Sequence, residues 1–219
     1  MSKPWDWTKV NNKKIWLEPD AQCYLYAAKW AKEGKKDILD LGCGLGRHSI
    51  YFAKSNFNVT ATDLSKDAIE YLDKYKHEEN LEINTVIADM LSLPFEDNSF
   101  DAVFAFHSIS HTDSKGIKEI LSEIRRVLRP DGAVFLTMCS KDTWSFTNAH
   151  PPYILDNNTI IKESGLETGI PHFYVDEDDI KELFKDFMLV DIKYVSHRYF
   201  DNDWQDTKHY YIEIKNKKE

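Results

Sequence analysis

The sequence predicts an α/β fold, a mostly parallel sheet with helices on both faces, and three observations lead to it. Between residues 37 and 138, short apolar runs alternate with amphipathic stretches of helical period. That is the pattern of parallel strands joined by crossover helices. The first apolar run, DILDL, meets glycines at once, as a buried strand does where it turns towards a ligand. The 219 residues are 42% hydrophobic and 30% charged, a balance that suits one soluble globular domain of 1–219 and excludes a disordered chain. No apolar run nears the roughly 20 residues that span a bilayer, so no membrane association is expected.

The elements follow in order. Residues 20–32 form a helical stretch behind a polar, aromatic N-terminus. Residues 37–41 are the first strand and 46–53 the helix after its glycines. Residues 58–62 (NVTAT) are the second strand, and Ser65 caps the next helix, whose apolar positions are Ala68, Ile69 and Leu72. Residues 82–88 and 99–106 are the third and fourth strands. Residues 115–128 are strongly amphipathic, 129–132 (RPDG) close that helix with a turn, and 133–138 are the fifth strand. The pattern then breaks. Residues 140–172 are rich in proline and glycine, and so long a loop inside a compact domain is usually functional. A helix at 176–184 opens on acidic residues, and 187–195 with 208–214 form a hairpin.

Ligands of such sheets lie beyond the carboxyl ends of the strands, so the chemistry is sought there. Asp40-Leu41-Gly42-Cys43-Gly44-Leu45-Gly46-Arg47 is the strongest signal. Glycines after a strand let the backbone turn sharply and approach a ligand closely. A dinucleotide turn has its third glycine one place later, where Arg47 stands here. Asp40, two residues before the first glycine, suits a cation and not a pyrophosphate. Asp63 ends the second strand, where a carboxylate either accepts from ribose hydroxyls or caps the following helix. Asp89 and Met90 follow the third strand and would meet an exocyclic amine and a base face, the alternative being a surface turn. Three acids at three successive strand ends fit one elongated ligand with a cation, a ribose and an adenine.

With these motifs on the page, residues 36–139 resemble the class I S-adenosylmethionine-dependent methyltransferases. DILDLGCGLGR resembles their first motif, TATDLS the acidic loop after the second strand, and VIADM the adenine-binding motif. LPFEDNSFDAVFAF and IRRVLRPDGAVFLT resemble their fourth strand, next helix and fifth strand. The resemblance implies a Rossmann-like three-layer sandwich with a seven-stranded, mostly parallel sheet whose last strand is antiparallel. It implies S-adenosyl-L-methionine as cofactor and S-adenosyl-L-homocysteine as product. Gly42, Gly44 and Gly46 would surround the methionine part and Asp40 would lie near its amino end. Asp63 and Leu64 would lie at the ribose, Asp89 and Met90 at the adenine, and Phe106 beside the methyl group.

His107 and His111 follow the fourth strand at the substrate mouth, and His172 lies in the loop-rich segment. Each is a candidate base for a hydroxyl acceptor and equally a packing histidine. His107 and His111 are four apart but have no HExxH context, so no metal is expected. The aromatic residues of 1–35, including Trp16 and Tyr24, and of 140–175, including Trp144, Tyr153 and Tyr174, read as lids over a small-molecule methyl acceptor. His150-Pro151-Pro152-Tyr153 resembles the amine-binding motif of DNA methyltransferases, but it starts with His and follows the wrong strand. A net charge of −9 also argues against nucleic acid. Three scattered cysteines and the lack of an apolar N-terminal core point to a reducing, cytoplasmic setting. The chain is expected as a monomer or homodimer. A nicotinamide oxidoreductase, a protein methyltransferase and a non-catalytic cofactor-binding protein are the competing readings.

Overall fold

The computed structural model describes residues 4–7, 10, 16–165, 167–198 and 206–217. The rest of the expected N-terminal lid and the last two residues of the C-terminal tail lie outside these.

Five strands run parallel: β1 Asp37–Leu41, β2 Asn58–Asp63, β3 Ile83–Ile87, β4 Phe100–Ala105 and β5 Leu128–Ser140, in spatial order 3-2-1-4-5. Labelling the strands in chain order, β8 Phe187–Arg198 and β9 Asp206–Asn216 complete the main sheet. β9 lies antiparallel against β5, and β8 antiparallel against β9. The expected hairpin is therefore present and longer at both strands. Its last strand is the antiparallel one.

Helices cover both faces because the strands alternate. In β4, Val103 and Ala105 face a core built with α4 (Gly116–Val127) and α6 (Glu177–Leu183). Ala102 and Phe104 face the opposite core. There they meet Tyr26 and Trp30 of α1 (Ala21–Lys32), Phe52 of α2 (Arg47–Lys54) and Leu72 of α3 (Lys66–Glu78). The same period-two rule turns Ile38 to one side of β1 and Leu39 to the other. Asp176 caps α6 by a reciprocal capping box with Asp179, so the acidic cluster at 176–179 is a helix start, as read.

Two expectations need correction. The RPDG segment is not a closing turn. It bulges inside β5, where Leu128 pairs with Phe100 and Ala133 with Ala102, and Asp131 takes φ +57° in the bulge. Residues 140–172 are not a long loop. They hold a short helix α5 (Trp144–Thr147) and strand β6 (Thr159–Ile161), and strand β7 (Pro171–Val175) follows. β6 and β7 pair antiparallel. β4 pairs with β5 as far as Leu136, and beyond it β7 pairs with Cys139 and Ser140. The overhanging end of β5 thus carries a small sheet that the sequence pattern did not reveal.

Candidate active site

The strand ends open on a cavity of about 530 Å³. Its lower wall is the turn after β1. Gly42, Gly44 and Gly46 all take positive φ (+74°, +55° and +84°). Two of them line the cavity. The third does not: the hydrogen of Gly46 faces Leu72 of α3, so Gly46 only lets α2 start there. Gly44 is needed for close packing, because a Cβ there would lie 2.7 Å from the Trp7 ring.

Asp63 holds this turn in place. Its Oδ2 accepts from Gly44 N at 2.8 Å and its Oδ1 from Ser65 N at 2.8 Å. Asp63 thus closes a turn just ahead of α3, whose N-cap position is Ser65, and lines the cavity. Burial raises its pKa against the lowering effect of those two amides. Leu64, Asp89 and Met90 line the same side. Asp40 lies elsewhere. It is 1% exposed, points to the α2 face, accepts from Ser49 Oγ at 2.5 Å and does not line the cavity. Burial pushes its pKa up to about 6 against that hydrogen bond. The expected contact with a ligand cation is corrected to a brace between β1 and α2.

A second wall is aromatic. Trp5, Trp7 and Trp16 stack edge to face, with centroids 4.6–5.7 Å apart. The Arg47 guanidinium lies between Trp16 and Phe106, 5.7 and 5.6 Å from their ring centres. His107 takes φ +53°, an unusual backbone for a residue with a Cβ. Its N–H donates to Thr137 Oγ1 at 2.8 Å, and its ring packs on His209 at 4.3 Å. Burial, then the neighbouring charges, holds His107 well below the ordinary histidine range, and His209 is lowered to about 4. These lowered values favour the neutral imidazoles of His107 and His209 at neutral pH, which leaves Arg47 as the charged group of this wall.

The third wall comes from the 140–175 segment. Glu167 bridges two histidines: His111 Nε2 lies 3.2 Å from Oε1 and His172 Nε2 3.0 Å from Oε2. Burial alone would raise the Glu167 carboxyl, but the two imidazoles override it and hold it well below the usual range. Tyr174 lines this wall and its hydroxyl pairs with Ser145 Oγ at 2.9 Å. Cys139 also lines the cavity.

Three expected substrate contacts are not made. Tyr24 is 46% exposed on the outer face of α1 and packs against Tyr51. Trp144 is 42% exposed at the start of α5, and Tyr153 packs on His150. None of the three lines the cavity. Aromatic content marked the right segments, but which ring faces inward depends on helix phase and loop path. Conversely, Arg47, Thr137, Glu167, His209 and Tyr211 line the site and were not singled out as site residues. Residues 207, 209 and 211 share one face of β9, so period two alone held that signal. Glu167 carried none.

The family model described as a methyltransferase domain matches residues 38–132, which include the glycine turn, Asp63 and the Asp89–Met90 corner. Residues 38–132 are thus similar to a methyltransferase domain, in line with the resemblance of their motifs to the class I S-adenosylmethionine-dependent methyltransferases. A sterol 24-C-methyltransferase of Gibberella zeae is 36% identical to this chain over 146 residues, 65% of this chain and 36% of that one. The chain spans under half the length of the curated relatives it matches first. A methyltransferase structure from Methanosarcina mazei superposes with a TM-score of 0.72 at 19% identity, covering 93% of this chain and all of that one. A Burkholderia thailandensis N1-methyltransferase, solved with 1,6-didemethyltoxoflavin and S-adenosylhomocysteine, gives 0.65 at 18% identity, covering 94% and 82%. Among the described residues of the chain, no helix is long and apolar enough to cross a membrane.

The depressed histidines give a pH signature. His209 is lowered from 6.5 to about 4, so the unfolded chain binds the extra proton first as acid is added. Its contribution is intact above pH 6.5, falls between 6.5 and 4, and is fully lost below. His209→Phe is expected to lose about 3 kcal/mol less stability than wild type between pH 7 and 4. Urea denaturation at the two pH values measures this, and equal acid losses would refute it.

Proposed function

We propose that the chain transfers the sulfonium methyl of S-adenosylmethionine to a small-molecule acceptor and releases S-adenosylhomocysteine. The observation that carries this reading is a half-buried carboxylate, Asp63, clamped to a positive-φ glycine turn on the wall of a cavity of about 530 Å³. That volume suits a small ligand and not a groove for a polypeptide.

The residues fit the cofactor. Each Asp63 oxygen already accepts one amide, and each has a second lone pair for a ribose hydroxyl. Gly42 and Gly44 leave room for close backbone approach at the methionine end. Asp89 and Met90 sit where the adenine would lie, and Leu64 flanks it. Arg47 supplies the cation for the cofactor's carboxylate, a role that the buried Asp40 cannot complement directly. When bound, the sulfonium supplies an electrophilic methyl carbon. The chain's own task is then to aim the acceptor along the C–S axis and to exclude water. Phe106 and neutral His107 border the transfer point. Trp5, Trp7 and Trp16 cover the cofactor side, and 140–175 covers the acceptor side with His111, His172 and Tyr174. A depressed His107 is a weak base, so an acceptor hydroxyl would lean on the Glu167-bound His111. The three cysteines are free thiols, in keeping with a proposed cytoplasmic setting.

Calorimetric titration of the folded protein with S-adenosylhomocysteine is expected to give micromolar affinity at one site. Product release in the presence of a panel of hydroxyl, amine and thiol acceptors then defines the acceptor atom. No binding by folded protein would sink this function.

A further inference from the structure

The Glu167 bridge has a geometry that two histidines and a carboxylate do not need for packing. His172 Nδ1 lies 3.1 Å from the carbonyl oxygen of Ile170. A carbonyl cannot donate, so Nδ1 carries the hydrogen and the neutral ring presents a lone pair at Nε2. That nitrogen is buried and makes no hydrogen bond. Yet it lies 3.0 Å from a carboxylate oxygen, and the residue's side chain is only 3% exposed. Two lone pairs at that distance repel unless a proton or a metal cation lies between them. The nitrogen misses hydrogen-bond alignment with the oxygen, as it does when both atoms aim at a third body. His111 Nε2 approaches the other oxygen of the same carboxylate, and one donor atom from each of the three residues lies within 4.8 Å of the others.

We propose that His111, Glu167 and His172 ligate a divalent transition-metal ion that holds the heteroatom of the methyl acceptor. The acceptor half of this statement rests on the methyl-transfer reading above. Two imidazole nitrogens and one carboxylate oxygen suit zinc, iron(II), cobalt(II) or nickel(II) better than magnesium or calcium, which favour all-oxygen sets. Three protein ligands leave coordination positions open, the arrangement of a reactive site and not of a closed structural one. The supports around the ligands match. The Nδ1–H to carbonyl bond orients His172 and fixes its tautomer, the usual outer partner of a metal-bound imidazole. Phe173 N donates to Ser110 O at 2.8 Å, tying the two histidine-bearing segments together at positions adjacent to both ligands. Ile170 N donates to Glu167 O at 2.9 Å, closing the loop that carries the carboxylate. All three ligands line the cavity that Asp63 and Phe106 line.

The chemistry is Lewis-acid activation. Coordination of an acceptor R–XH, with X oxygen or sulfur, lowers its pKa, and the proton leaves to solvent water. The X lone pair then forms the bond to the methyl carbon as the C–S electron pair returns to sulfur. The products are R–X–CH3 and the neutral thioether.

The test is calorimetric titration of Co²⁺ into the full chain after chelator treatment. One ion per chain is expected, weakened at least ten-fold (about 1.4 kcal/mol) in Glu167→Gln and in His111→Gln. Exposed His150→Gln should bind as wild type, and thermal melts of all variants establish folding. Adding 2-mercaptoethanol to the Co²⁺-loaded chain should shift its visible spectrum, as an open position requires. No ion bound by the folded wild type, or equal binding by both cluster variants, overturns the site. A spectrum blind to the thiol overturns its acceptor role. S-Adenosylhomocysteine affinity, measured on the same metal-free sample, judges the cofactor reading separately.

Discussion

Asp63→Ala is expected to weaken S-adenosylhomocysteine binding roughly 100-fold. In the proposed binding mode the carboxylate accepts from two ribose hydroxyls. Hydrogen bonds to a charged group contribute about 1.5–3 kcal/mol each, and losing about 3 kcal/mol is roughly two decades of affinity. The variant has a second cost. Gly44 N and Ser65 N lose their acceptor, and an unsatisfied buried donor costs about 1–3 kcal/mol. A fall in stability of about 2 kcal/mol should therefore accompany the lost affinity. Asp63→Asn separates the two effects, because its amide oxygen can still accept from one backbone amide while the charge is gone. Calorimetry on both variants, with urea denaturation alongside, reads out the result. Affinity within three-fold of wild type in folded Asp63→Ala would mean that Asp63 braces the loop and touches no ligand.

Gly42→Ala should destabilise the fold by about 3 kcal/mol or more, and take cofactor binding with it. Gly42 has φ +74°, where a Cβ costs about 1–2 kcal/mol. The added carbon would also lie 2.4 Å from Ser108 Cβ. Ser108 cannot yield easily, since its hydroxyl donates to Leu41 O at 2.6 Å. The collision would drive the end of β4, with His107, away from the turn after β1. Gly34→Ala is the matched comparison. It has the same φ of +74° but nothing within 4 Å of the new carbon. The difference in urea midpoint between the two variants isolates the collision. Equal losses would show that backbone strain alone makes Gly42 necessary.

What the sequence made legible was local. DILDL followed by glycines named β1 and its turn, because a strand and a positive-φ turn are written in consecutive residues. Asp63 and Asp89 were legible as cavity-lining residues because one ends its strand and the other lies two residues beyond its own. The strands β6 and β7 were not. They are three and five residues long, and β7 gains its place by pairing with two residues of β5 that no local pattern marks. Asp40 was misplaced because one residue of phase in a strand decides which face a side chain takes. The Glu167 bridge joins residues more than fifty positions apart on one side and five on the other. Only the folded path brings them together.

β5 overshoots β4, and that overhang has a consequence for how such a protein diversifies. The end of β5 touches the acceptor wall through Cys139, Ser140 and the amide of Lys141, which donates to Val175 O at 3.0 Å. The cofactor wall is anchored elsewhere, on β1 to β4. A lineage could exchange the whole insertion between Ser140 and Asp176 and so change which molecule is modified. The sheet would need to supply the same two-residue splice, with Ser110 and Lys208 to hold the replacement as they hold the present segment. In the proposed binding mode, acceptor choice is thus a replaceable cassette, inherited separately from the methyl donor's seat.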